Sequence, residues 1–192
     1  MMLATKTDKQ LIDAYLLGQE AALQQLIGRY QDKVYTSIMM FVRDKYLAED
    51  IFQDTFIKVI HTLRSGTYKE EGKFSPWVMR ISYNLCVDHF RRNKRNPKIT
   101  TTEGFDIFDV LQFADENVED RITREETHDK IRLLIEELPD EQREVVVLRH
   151  YSNLSFKEIA DLTGVSINTA LGRMRYALIN LRKLIAEKEI SL

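Results

Sequence analysis

Arginine and lysine side chains interleaved with aromatic residues cluster between residues 68 and 98 of the 192-residue chain. Positive charge follows a phosphate backbone and aromatic faces accept unstacked bases, so this combination suits single-stranded or melted nucleic acid. A solvated cationic helix end, stabilised by the helix dipole, is the alternative. Trp77 falls on the predicted buried stripe, and we expect it in the core. The polar members are Arg80, Asn84, His89, Arg91, Arg92, Lys94, Arg95 and Lys98, and the aromatic ones Tyr68, Phe74, Trp77, Tyr83 and Phe90.

A second group of residues predicts the reading of duplex DNA. Between Leu154 and Leu184 a short helix, a turn at Gly164 and a longer helix follow one another, which are the parts of a helix-turn-helix. A hairpin whose polar residues merely face water is the alternative, and Leu171, apolar on an outward face, counts against DNA. The side chains expected to point outward are Asn168, Thr169, Gly172, Arg173 and Tyr176, with Arg175, Arg182 and Lys183 placed to meet phosphates.

No residue pattern predicts catalysis, a metal site or a cofactor. The four histidines lack paired ligand spacing, and a single cysteine excludes both an internal disulfide and a cysteine-rich zinc site. Cys86 and His89 share a helix face, but no third group orients them, so we expect a buried thiol. A phosphate-cradling glycine loop is also missing from the sequence. We therefore expect a protein that is not an enzyme.

The elements that carry these residues are predicted to be helices. Seven Gly and three Pro are too few for the turns of a β-sandwich. Apolar residues recur at helical spacing, and Thr7 with Gln10 and Ser155 with Glu158 form capping-box patterns. Ser75 is expected to cap the fourth helix. Helices are predicted near residues 7–16, 21–42, 47–63, 75–90, 128–138, 139–151, 155–162 and 166–187.

Charge divides the chain into three parts. Residues 1–98 hold 16 Lys and Arg against 11 Asp and Glu, whereas residues 99–126 hold 2 against 9 and residues 127–192 hold 10 against 10. The net charge of −2 therefore comes from one acidic segment and does not argue against nucleic acid. We predict an all-α protein with two small helical domains, residues 1–97 and 127–192, joined by a flexible acidic linker at 98–126. The second domain contains the helix-turn-helix.

The sequence also predicts a location in the cell. The N-terminus lacks the apolar core of a secretory signal, and the longest apolar runs are too short to span a bilayer. We therefore expect a cytoplasmic protein with no stable membrane insertion.

Together the two halves resemble the extracytoplasmic-function (ECF) sigma factors, the two-domain alternative sigma subunits of bacterial RNA polymerase. The linker is the one part that the resemblance does not cover. The resemblance implies a factor that binds core polymerase, recognises promoter DNA and promotes its melting. The matching strings are LIGRYQDKVY (Leu26–Tyr35), AEDIFQDTFIKV (Ala48–Val59), FSPWVMRISYNLCVDHFRR (Phe74–Arg92) and LPDEQREVVVLRHYSNLSFKEIADLTGVS (Leu138–Ser166), with the helix that follows.

The resemblance implies a surface for core RNA polymerase on the third helix. Asp50, Gln53, Asp54 and Phe56 match the family's surface for the clamp helices of the largest polymerase subunit. An acidic and polar edge beside an exposed aromatic suits an interface with a central anchor, so we expect Phe56 to be exposed. Ordinary solvated helix is the alternative for the carboxylates.

The resemblance also implies contacts with duplex and melted promoter DNA. Tyr68 and Asn84 fall where the family captures a flipped base of the minus-ten element, which needs an aromatic face and an amide. The residues that match promoter-strand contacts are Arg80, Arg91, Arg92 and Arg95. The residues that match minus-thirty-five readout are Ser166, Asn168, Thr169, Arg173 and Arg175. An anti-sigma factor is a further expected partner, since members of the family are commonly held inactive by one.

The recognition helix departs from the family pattern at four positions. The family often has Gly at Asn168 and Lys at Leu171, and further Arg where Tyr176 and Leu178 stand. This helix is less basic than usual, so its affinity should depend more on tethering by the polymerase than on its own phosphate contacts.

Two other classes of function stay open. A stand-alone helix-turn-helix repressor or activator would explain residues 127–192 but would leave the strings at Ala48–Val59 and Phe74–Arg92 without a role. An adaptor whose two domains bind only protein is the other alternative.

Overall fold

The computed structural model describes residues 6–69, 71–95 and 130–188, with side chains described up to residue 92 in the second range. Every regular element within these ranges is a helix, so the all-α prediction is confirmed. The helices are α1 (Asp8–Leu16), α2 (Glu20–Val42), α3 (Lys45–Arg64), α4 (Phe74–Arg95), α5, of which residues 130–136 are described, α6 (Asp140–His150), α7 (Phe156–Thr163) and α8 (Ile167–Glu187). The predicted linker, residues 98–126, lies outside the described residues.

The described helices fall into two compact units. The first contains α1 to α4 and the segment Val147–Ser155, and the second contains the other described residues of the C-terminal half. Two helical units were predicted, and the fold class is confirmed. The predicted domain limits at residues 97 and 127 stay a prediction, because they fall outside the described residues.

Helix α2 is the centre of the first unit, because α1, α3 and α4 all pack against it. Leu11, Leu26 and Ile38 are completely buried, and Val59 and Val78 join them from α3 and α4. Burial of such a side chain contributes about 1.5–3 kcal/mol relative to leaving it exposed. These contacts hold α3 and α4 side by side, and the loop between them carries much of the candidate site.

Local capping fixes where the helices begin. The hydroxyl of Thr7 accepts the backbone N–H of Gln10, whose side chain accepts the N–H of Thr7, so the predicted capping box is confirmed. Asp44 caps α3 by accepting the N–H of Leu47 at 3.0 Å. The prediction for α4 is wrong in detail. That helix begins at Phe74, so Ser75 lies inside its first turn and does not cap it.

In the second unit, α7 packs against α8 through small side chains. Ala160 on α7 and Ala170 and Ala177 on α8 are buried, so the two helices can approach closely. Gly164 has a φ of 70° in the turn between them, a left-handed conformation that glycine adopts without strain. The helix-turn-helix predicted from the sequence is thus present as two packed helices.

Among the described residues, no helix is both long enough and apolar enough to cross a membrane.

Candidate nucleic-acid interface

A surface pocket of about 330 Å³ lies where the loop after α3 meets the start of α4. Two aromatic rings form its apolar wall: those of Tyr68 and Trp77 are 4.2 Å apart between centroids, with an angle of 34° between their planes. Phe74 is buried behind them and contacts both rings. The residues lining the pocket are Thr62, Thr67, Tyr68, Lys69, Glu71, Lys73 and Trp77.

The loop that carries Tyr68 is held by hydrogen bonds to the end of α3. The hydroxyls of Ser65 and Thr67 are 2.8 Å apart, and that of Ser65 donates to the carbonyl of Thr62 at 3.0 Å. Gly66 has a φ of 68°, which lets the chain leave the helix sharply. The ring of Tyr68 is therefore placed against α4 by local contacts of the loop.

The pocket combines an aromatic wall with polar and charged groups. A planar base can stack on such a wall, and alanine substitutions put base–aromatic stacking at about 1–3 kcal/mol. Lys69 and Lys73 add two positive charges, which suit phosphate groups, and Glu71 adds one negative charge. The expectation for Trp77 is correct only in part, because its ring packs on the core and also lines the pocket.

A polar ridge continues from the pocket along α4. Arg80, Asn84, Arg91 and Arg92 are exposed. Trp77, Arg80 and Asn84 recur at three- and four-residue spacing, so they share one face of the helix. Asn84 is not among the described residues that line the pocket, and its pairing with Tyr68 stays a prediction. The side chain of Arg95 lies outside the described residues.

The exposed face of α3 lacks the apolar residue that was predicted at its centre. Asp50, Gln53 and Asp54 are exposed as expected, but Phe56 is only 6% exposed. The expectation of an exposed Phe56 anchor is wrong, because its ring packs into the core at 4.9 Å from the ring of Phe52.

Two residues that the sequence analysis missed replace Phe56 on that face. Tyr46 is 77% exposed and Ile57 is 52% exposed. Residues 46, 50, 53 and 57 follow one another at helical spacing, so both apolar side chains flank Asp50 and Gln53. This spacing is visible in the sequence. The sequence alone does not show which side of α3 the other helices cover.

Recognition helix α8 begins at a well-formed cap. The side chain of Ser166 accepts the N–H of Thr169 at 3.0 Å, as the sequence predicts. Asn168, Thr169, Arg175 and Tyr176 are exposed in the first three turns. Arg182 and Lys183 are exposed further along the same helix. This end of α8 offers hydrogen-bonding and charged groups to the major groove of DNA.

Arg173 does not point outward as expected. Its guanidinium lies 3.5 Å from the carboxylate of Glu144 on α6, and only about a quarter of each side chain is exposed. The prediction that Arg173 points outward is therefore wrong, because α8 turns this position toward α6, and its contact with the minus-thirty-five element stays a prediction. Glu144 is a further residue of the site that spacing within α8 alone does not reveal.

Among residues 6–69, 71–95 and 130–188, no group of three His, Cys, Asp or Glu side chains is placed to hold a metal ion. Cys86 is buried, as expected, and burial raises the pKa of its thiol to about 12. Such a thiol is not a nucleophile at neutral pH.

Two family models match the chain, Sigma-70 region 2 over residues 26–96 and Sigma-70 region 4 over residues 128–176. The first match contains the pocket, the α4 ridge and the exposed face of α3. The second contains α6, α7 and the first half of α8. Together the two matches cover more than half of the chain.

Curated relatives match the chain along most of its length. It is 29% identical to the RNA polymerase sigma-H factor of Pseudomonas aeruginosa, covering 90% of this chain and 91% of that protein. It is 28% identical to the ECF RNA polymerase sigma factor SigW of Bacillus subtilis, covering 91% of this chain and 95% of that one.

Solved structures share the fold. The sigma factor RpoE in complex with the anti-sigma factor NepR, from Bartonella quintana, superposes with a TM-score of 0.61 at 18% identity, covering 85% of this chain and 96% of that chain. CnrH in complex with the cytosolic domain of CnrY gives a TM-score of 0.59 at 22% identity, covering 95% and 99%.

Proposed function

We propose that this chain, which belongs to the extracytoplasmic-function group of the sigma-70 family, binds core RNA polymerase in the cytoplasm, recognises promoter DNA and promotes its melting. Members of this family are transcription initiation factors and not enzymes. The observation that carries this proposal is the aromatic pocket of Tyr68 and Trp77, which continues into the arginine ridge of α4. A surface of this kind suits unpaired bases, which a reader of duplex DNA alone does not need.

The proposed mechanism divides the work between the two units. In the second unit, α8 enters the major groove of the minus-thirty-five element with Ser166 at its cap and Asn168, Thr169 and Arg175 facing the bases or phosphates. In the first unit, the pocket captures an unstacked base of the minus-ten element. Binding energy from the captured strand, and not hydrolysis, favours the open state. The strand then follows the ridge of Arg80, Asn84, Arg91, Arg92 and Arg95.

Core polymerase is the proposed partner of the exposed face of α3. Asp50, Gln53 and Asp54 supply charge and hydrogen bonds, and Tyr46 and Ile57 supply the apolar contacts that Phe56 does not. Exposed aromatic and aliphatic side chains surrounded by polar ones are typical of interface centres. We also propose an anti-sigma factor as a partner, by analogy with RpoE, which was solved in complex with NepR.

The first experiment tests core binding. The double variant Asp50→Lys, Asp54→Lys is expected to abolish association with core polymerase, measured by native gel shift, with an unchanged circular dichroism spectrum. Asp13→Lys, Asp32→Lys is the matched control, because both carboxylates are exposed on other helices and the charge change is the same. Equal binding by both double variants would contradict the assignment of this face.

The second experiment tests base capture. Tyr68→Ala is expected to leave core binding intact and to reduce promoter opening about tenfold or more, because stacking on the pocket wall is lost. Permanganate reactivity of promoter thymines measures the opening, and run-off transcription with core polymerase measures its consequence. Tyr68→Phe keeps the ring and should behave like the parent chain. Unchanged melting in Tyr68→Ala would remove the pocket from the mechanism, and no transcription by any variant would favour a stand-alone regulator.

A further inference from the structure

An apolar pair stands exposed at the start of the recognition helix. Ile167 is the first residue of α8 and is 45% exposed, and Leu171, one turn later, is 44% exposed. The buried side of the same helix is formed by Ala170 and Ala177, which are 1% and 0% exposed. The pair therefore lies outside the packed interface with α7, within the two turns that a recognition helix inserts most deeply.

The residues around Leu171 leave its side chain accessible, and an exposed polar side chain lies beside it. Gly172 follows it, and a Cβ added there would meet no atom within 4 Å. Arg175 lies one turn further along the same side of the helix and is exposed. An aliphatic side chain at this place cannot donate a hydrogen bond to a base or a phosphate. The C5-methyl of thymine is the apolar group that base pairs present in the major groove.

We propose that Leu171, assisted by Ile167, determines base specificity by packing against a thymine C5-methyl group in the minus-thirty-five element. The inference rests on the proposed function, since it requires that α8 enters the major groove. The preferred minus-thirty-five element should then carry a thymine, on either strand, opposite the first two turns of α8.

The test uses the full-length chain assembled with core polymerase. Holoenzyme selects its preferred duplexes from a random library, and each thymidine of the upstream element is then replaced by deoxyuridine, which lacks only the methyl. Replacement of one thymidine is expected to weaken binding of the parent holoenzyme about fourfold. Leu171→Ala should bind more weakly and be indifferent to the same replacement.

Leu178→Ala is the matched control. Leu178 is 46% exposed and lies on the same side of α8, but two turns further from its N-terminus, where base contacts are not expected. This variant should keep the full deoxyuridine effect. The inference is overturned if deoxyuridine at every position leaves binding by the parent holoenzyme unchanged, or if it weakens binding by Leu171→Ala equally. Promoter recognition by α8 would stand in either case. Failure to enrich any duplex overturns the proposed function and this inference with it.

Discussion

The thiol of Cys86 lies among buried side chains of α4, and desolvation by burial raises its pKa to about 12 from the ordinary value of 9.0. The native chain should therefore react with a thiol reagent at pH 8 far more slowly than the unfolded chain, where the thiolate is accessible. Reaction with a chromogenic disulfide, followed in buffer and in guanidinium chloride, measures the difference. Equal rates in both would show that Cys86 is exposed in solution.

The same shift makes the free energy of unfolding depend on pH. The neutral thiol is favoured in the folded state, so its contribution is complete below the ordinary pKa and is lost as pH rises from 9.0 toward about 12. The parent chain should lose about 1 kcal/mol more than Cys86→Ala between about pH 9 and 10, measured by urea unfolding. Parallel pH profiles would contradict the buried thiol.

The burial of individual side chains was the property of the site that the sequence predicted least accurately. Phe56 was expected outside and is buried, whereas Tyr46 and Ile57 are exposed on the face that it was expected to anchor. Helix α3 is covered by both α2 and α4, so its buried arc is wide, and periodicity alone does not fix the edges of such an arc. Capping residues were easier to predict, because Thr7 and Ser166 act on atoms three residues away.

Whole helices followed the sequence closely. Helix α2 was predicted at residues 21–42 and spans Glu20–Val42, and α8 was predicted at 166–187 and spans Ile167–Glu187. Long apolar periods and local caps determine these bounds. Contacts between helices were not predictable in the same way. The pairing of Arg173 with Glu144 depends on how α6 and α8 pack, which neither helix encodes alone.

Helix α8 is joined to the preceding helices by polar contacts along one side. Arg173 pairs with Glu144, the amide of Asn180 donates to Gln142 at 2.8 Å, and Lys188 pairs with Glu137. The contacts of Arg173 and Asn180 join one side of α8 to α6. We expect them to help to fix which side chains of α8 face away from the second unit.

Reversal of the α6–α8 ion pair tests whether Arg173 acts by positioning the helix. Arg173→Glu should lower the free energy of unfolding by about 1 kcal/mol, because two carboxylates then face each other, and should weaken promoter binding. The double variant Arg173→Glu, Glu144→Arg should recover both properties, measured by urea unfolding and by holoenzyme binding to promoter duplex. Recovered stability without recovered binding would instead place Arg173 in direct contact with DNA.

At the scale of the whole molecule, the proposed mechanism requires only weak DNA binding from each unit. Helix α8 exposes only a few cations, among them Arg175, Arg182 and Lys183, and a small number of phosphate contacts gives weak duplex binding at physiological salt. In the same mechanism the first unit binds a strand that is already melted. Joining two weak binders in one chain raises the local concentration of the second once the first is bound.

Cutting the chain within residues 98–126 should therefore remove most of the promoter affinity. A protease site inserted within residues 98–126 allows the same preparation to be compared uncut and cut, at nanomolar concentration with core polymerase present. Cleavage is expected to weaken promoter binding about 100-fold, and addition of the isolated C-terminal part toward millimolar concentration should restore it, because a covalent tether provides an effective concentration of that order. Promoter occupancy by fluorescence anisotropy is the measurement. If cut and uncut chains bind equally at nanomolar concentration, the covalent connection contributes nothing to promoter affinity, and the polymerase or the packing of Val147–Ser155 in the first unit holds the two parts together.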